Sequence, residues 1–183
     1  MHQRSTLTDA YELFILDCES RGFTPDTVRF YRDRFRLIQR WCAENGVDTL
    51  DKLTSLAIRQ YLAELQRRGL SSHYVHSHAR ALRTFCNFLV REELLDVSPF
   101  AKVRMPRLEK KVLAALTSEE VKAILHACEY ERDKALVLFL LDSGVRASEL
   151  CALNVGDVDG EGRLRCARAK GRLTYIGART LFD

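Results

Sequence analysis

Arg146 stands three residues ahead of Glu149 in "LLDSGVRASELCALNVGDVDG", residues 140–160, just after a glycine that interrupts an apolar helical stretch. A guanidinium is always charged and presents a rigid fork of donors, so a position beside an apolar helix carries a desolvation cost that only a partner offsets. Glu149, one helical turn along, is spaced to hold that fork. The pair reads either as a surface ion pair or as an anion site, in which the glycine break aims the guanidinium out of the core and Glu149 braces it. The Leu150-Cys151-Ala152-Leu153 run beside it is expected to be buried.

Positive charge is also arranged in stripes. On a helical wheel Arg29, Arg32, Arg36 and Arg40 fall within about 80° of one another, opposite Phe30, Tyr31, Phe35, Leu37, Ile38 and Trp41. Further on, Val75, Ala79, Leu82, Phe85, Cys86 and Leu89 form an apolar stripe, while His73, His76, Arg80, Arg83 and Asn87 form a polar one. Such donors can bind phosphates and base edges, and a helix fits the major groove of duplex DNA. A solvated helix face is the plainer reading of each stripe taken alone. Of the acids, only Asp33 lies within the first stripe's span, so little local compensation is expected. His73, His76 and His78 could suggest a metal, but no carboxylate or thiol accompanies them at ligand spacing, so no metal is expected.

The totals frame these readings without deciding between them. A chain of 183 residues with 46% hydrophobic content can bury a core as one medium domain or two small ones. Its net charge of +4 is too mild to identify a nucleic-acid partner, so the location of the charges must carry the argument. No run of about 18 apolar residues is present and the start lacks a secretory pattern, so a cytoplasmic protein without a membrane partner is expected. The six cysteines include no C-x-x-C pair and fall mostly in apolar helical patterns, as free thiols do.

The elements that must position these groups are mainly helical. "TLTDAYELFILDCESRG" predicts a helix capped by Thr8 or Asp9 and ended by Gly22. "TPDTVRFYRDRFRLIQRWCAENG" predicts a second, with Thr24 as N-cap, Pro25 in the first turn and Gly46 beyond its end. A third starts at Thr54 and stops at Gly69, and a fourth starts at Ser71 or Ser72, giving a small four-helix bundle. "VSPFAKVRMPRLEKK", with Pro99, Pro106 and five basic residues, reads as an extended linker. Thr117 and Glu120 then form a capping box, and "DKALVLFLLDSG" is apolar enough to be buried on most sides. After residue 160 the pattern alternates around Lys170-Gly171, as in a hairpin.

"SGVRASELCALNVGDVD" resembles the first arginine motif of the tyrosine recombinases, or phage integrases. "FCNFLVREELLDVSPF", the basic linker, "LTSEEV" and the Lys-Gly hairpin follow that family's order across nearly the whole chain. The resemblance implies a mainly α architecture: a core-binding (SAM-like) four-helix bundle at 1–98, a linker at 99–110 and the first part of an α+β catalytic domain at 111–183. It implies double-stranded DNA as partner, with other recombinase protomers beside it. It also implies chemistry in which a tyrosine attacks a phosphodiester, forms a 3′-phosphotyrosine and releases a 5′-hydroxyl without metal or nucleotide cofactor. Arg146 then matches the first phosphate-binding arginine, Glu149 the acid that orients it, and Lys170 the hairpin lysine that protonates the leaving group.

The match also has gaps. No H-x-x-R follows residue 146, and Tyr175, the only later tyrosine, falls in the hairpin's second strand, so no nucleophile is nominated. The hairpin after Lys170 is short for the family. The second unit, too, is smaller than a complete catalytic domain, so a C-terminally truncated recombinase with a marginal second core is expected, inactive in cleavage by itself. The alternatives are a non-catalytic DNA-binding partner or competitor of a full-length recombinase, and a helical interaction module with no DNA role.

Overall fold

A computed structural model describes residues 6–109, 114–158, 163–166 and 172–175. The chain divides into two units, Met1–Lys111 and Val112–Asp183. The first is built from α1 (Leu7–Ser20), α2 (Pro25–Glu44), α3 (Ser55–Arg67) and α4 (Ser72–Arg91). Each begins with a hydroxyl that accepts from a backbone N–H of the first turn: Thr6, Thr24, Thr54 and Ser71. Satisfying those orphan donors is what makes Ser and Thr effective at helix starts. The first cap is Thr6 instead of Thr8 or Asp9 because Leu7 is already committed to the core and its N–H bonds to the Asp48 carbonyl at 3.0 Å.

Apolar faces of the four helices converge on one core, in which rings from α1, α2 and α4 cluster. Phe14 packs against Tyr31, Phe35, Phe85 and Phe88 with centroids 5.0–5.9 Å apart, and Phe35 meets Phe85 at 4.9 Å. These separations and mostly edge-on angles suit the ring quadrupoles and add to the area buried. Asp17 ties α1 to α4 through Arg91 at 2.7 Å.

The proline-containing segment is not extended throughout: residues 99–102 form turns, with the Ala101 N–H bonded to the Ser98 carbonyl at 3.0 Å and the Val103 N–H to the Phe100 carbonyl at 2.9 Å, and the segment lies along the bundle as a strap. Phe100 and Val103 are buried in the helical core. Backbone outside helices and sheets must find other hydrogen-bond partners, and side chains of α3 and α4 supply several. Ser55 Oγ donates to the Pro99 carbonyl at 2.6 Å, Arg59 Nη2 to the Lys102 carbonyl at 2.6 Å, and His76 Nδ1 meets the Pro106 carbonyl at 3.1 Å.

The second unit contains α5 (Ser118–Ala127), α6 (Glu131–Ser143), the single turn α7 (Ala147–Leu150), and an antiparallel hairpin of β1 (Arg163–Cys166) and β2 (Arg172–Tyr175). The capping box at Thr117 and Glu120 is formed, with bonds of 3.2 and 2.8 Å. The expected burial of α6 is not found: Leu136 is 41% and Leu141 44% exposed. Among the described residues Val145 is the buried apolar centre here, with Phe139, Leu140, Leu150, Leu153 and Val158 partly packed on it. An apolar helix is buried only when other elements cover it. The Leu150–Leu153 run is likewise only partly covered, with Cys151 and Ala152 exposed.

Candidate nucleic-acid interface

The turn before Arg146 is built by three consecutive residues. Gly144 ends α6 in the left-handed region, at φ 59°, and its N–H reaches the Leu140 carbonyl at 3.1 Å. Glycine adopts that conformation without a Cβ clash. Val145 then drops into the small core, and Arg146, at φ −76° and ψ 153°, becomes the extended N-cap of α7.

Glu149 reaches back across the turn with both carboxylate oxygens. Oε2 accepts from the Arg146 backbone N–H at 2.8 Å and Oε1 from Nη1 at 3.0 Å. Glu149 is only 6% exposed, whereas the Arg146 side chain is 70% exposed. One edge of the fork is therefore fixed by a buried acid while most of the guanidinium faces solvent. Charge-assisted bonds of this kind are short and directional, which suits a residue that must hold an orientation. Lys170 lies outside the described residues. Tyr175 is in β2, with its backbone opposite Arg163.

Arg29, Arg32, Arg36 and Arg40 of α2 are all exposed, as are His73, Arg80, Arg83 and Asn87 of α4. Helices α2 and α4 meet at Phe30: the Arg34 guanidinium lies 5.1 Å from that ring's centroid and the Arg80 guanidinium, from the α4 stripe, 5.9 Å. Arg34 also donates to Ser77 Oγ of α4 at 2.9 Å. It belongs to neither expected stripe. Its spacing four residues from Phe30 was a signal that it stacks on that ring.

Local compensation is greater than the sequence suggested. Glu19 of α1 pairs with Arg32 at 2.9 Å and Glu44, one turn along α2, pairs with Arg40 at 3.0 Å. Arg32 is held above its ordinary pKa, first by the Glu19 hydrogen bond. Helix wheels miss Glu19 because it comes from another helix. Arg29 and Arg36 have no ion pair among the described residues.

The histidines separate into different roles. His76 is half-buried and engaged with the strap, so it holds the strap as well as flanking the stripe. His78 is wholly buried, with Nδ1 2.7 Å from the Tyr61 hydroxyl. Burial, and then the Arg34 charge, lower its pKa from 6.5 to about 4. His78 therefore cannot join His73 and His76 around an ion. Among the described residues no three His, Cys, Asp or Glu side chains cluster as a metal would require.

A helical bundle with a basic face, followed by a unit that braces an arginine on a helix turn and carries a hairpin, is the arrangement of one class of protein. Residues 13–93 match the phage integrase N-terminal SAM-like domain and residues 114–176 match the phage integrase family. The chain belongs to the tyrosine recombinase family. It is 34% identical over 174 residues to tyrosine recombinase XerC of Myxococcus xanthus, covering 89% of this chain and 57% of that relative. It is 32% identical over 166 residues to tyrosine recombinase XerD of Halalkalibacterium halodurans, covering 86% and 56%. The chain thus spans little more than half the length of the curated relatives it matches.

Solved structures share the fold. A lambda integrase tetramer bound to a Holliday junction aligns with a TM-score of 0.81 at 20% identity, covering 96% of this chain and 49% of that one. A lambda integrase dimer bound to a COC′ core site aligns with a TM-score of 0.79 at 19% identity, covering 92% and 47%.

Proposed function

We propose that this chain binds duplex DNA through the exposed basic faces of α2 and α4, as part of site-specific recombination or integration. In this reading residues 1–98, together with the strap in 99–110, act as the DNA-binding part, and 111–183 contribute one side of a phosphate-binding site. Arg29, Arg32, Arg36, Arg40, His73, His76, Arg80, Arg83 and Asn87 are the DNA-facing set. Arg146 meets a non-bridging phosphate oxygen, Glu149 fixes its direction, and Lys170 supplies the proton to the departing oxygen. The solved neighbours are integrases bound to DNA as dimers and tetramers, which supports further protomers as partners. The buried free thiols Cys18, Cys42 and Cys86 suit a cytoplasmic setting.

One observation carries the reading: a solvent-facing guanidinium whose orienting acid is buried and doubly hydrogen-bonded. A pair serving only the surface would have little reason to bury its acid, because exposed ion pairs stabilise by about 1 kcal/mol or less. With four to five phosphates neutralised, log affinity for duplex DNA should fall against log salt with a slope of about −4. Arg36→Glu combined with Arg83→Glu should abolish binding. Unchanged binding in that double variant would refute the face. The exposed apolar side of α6 instead favours a helical interaction module, and absence of any duplex shift at low salt would select that second reading.

A further inference from the structure

The strap has a second flank, turned toward α3 and away from the stripe on α4. There it walls a groove of about 360 Å³ whose charged lining is Arg59, Lys102 and Arg104, over a floor of Leu62, Val103 and Pro106. Among the described residues no acid lines it. All three cations are exposed, and none has an ion-pair partner among the described residues. Arg59 is positioned by its bond to the Lys102 carbonyl. Backbone contact of this sort fixes one edge of the guanidinium without neutralising it.

Val103 is shared with a cavity of about 290 Å³ on the opposite flank, lined among others by Arg83 and Asn87. The two clusters of donors therefore flank the strap at Val103. Cations on both flanks of the strap, beside a DNA-facing helix, suit a sugar-phosphate backbone, which carries a charge at every nucleotide. An acidic peptide could also meet three cations, but continuity with Arg83 and Asn87 favours the nucleic acid.

We propose that the groove between α3 and the strap is a second phosphate track, which takes the DNA backbone where it runs on from the α4 face and contacts it without reading sequence. The proposal rests on the DNA-binding reading above. Its occupant is the backbone of the same duplex, and its working residues are Arg59, Lys102 and Arg104.

The test is a salt titration of duplex binding by the full chain and by the double variant Lys102→Gln/Arg104→Gln. The substitutions leave the Lys102 carbonyl available to Arg59, and an unchanged thermal midpoint verifies that the variant is folded. The variant should bind several-fold more weakly at low salt, with a salt slope shallower by about 2. Wild-type binding with the same slope and affinity in the variant overturns this proposal alone. No duplex binding by the wild type overturns the underlying reading as well. Binding of a polyglutamate peptide that the variant loses, with the DNA slope unchanged, would assign the groove to an acidic partner and also overturn the proposal.

Discussion

The N-terminal bundle and the second unit are both built on apolar helical segments and reach different degrees of burial. In the bundle, Phe14, Phe35 and Phe85 are almost entirely sealed and make ring contacts contributed by three helices. In the second unit α6 is richer in leucine, yet none of its apolar residues is buried. Periodicity gives a helix an apolar face, but burial requires partners at the right distance, and only the first unit supplies enough of them among the described residues. Local hydrogen bonds do much where partners are few: those described for the Arg146–Glu149 turn all fall within ten residues, Leu140 to Glu149.

The sharpest break in this contrast comes from truncating a ring in the bundle. Phe85→Ala should cost about 3–5 kcal/mol, because its cavity is surrounded by other rings that cannot collapse into it, and denaturant unfolding would measure it. A loss below about 1 kcal/mol would mean that the bundle is no better packed than the second unit.

Acid should weaken the bundle selectively. His78 has a folded pKa of about 4, below its ordinary 6.5, so on acidification the unfolded chain takes up the proton first. The stability associated with neutral His78 is complete above pH 6.5 and is lost as pH falls toward 4, by up to about 3 kcal/mol. Urea midpoints across that window should therefore decline in the wild type and decline less in His78→Gln. Parallel profiles would assign the acid sensitivity to other groups.

Smaller effects belong to the second unit. Gly144→Ala introduces a Cβ at positive φ and should cost about 1–2 kcal/mol, read as a lower thermal midpoint for that unit, with weaker DNA binding if Arg146 swings away. Thr117→Ala removes one half of the capping box and should cost about 1 kcal/mol, visible as lost helicity. Leu141→Ala, on the exposed side of α6, should change stability by no more than about 0.5 kcal/mol. A cost comparable to that of Phe85→Ala would show that the leucine is covered in solution.

Much of the helical framework was legible because its signals are local. Thr24, Thr54 and the capping box of Thr117 and Glu120 each act within one turn of helix, and the structure uses them as the sequence predicts. Thr6 escaped because its role depends on Asp48 and Thr49, more than forty residues away in the chain. The same limit affected the candidate site. Spacing alone indicated that Glu149 could brace Arg146, whereas Glu19 beside Arg32, Arg34 bonded to Ser77 and the strap's hold on His76 all involve residues from different segments.

By itself, then, the sequence determined the helices, their caps, the arginine turn and the family to which they belong, since these depend on neighbours within a few residues. Tertiary structure alone decided which charges remain unpaired, which histidine is sealed in the core, and that a proline-containing segment becomes a wall of two grooves. Those outcomes depend on electrostatics and desolvation between groups that only folding brings together.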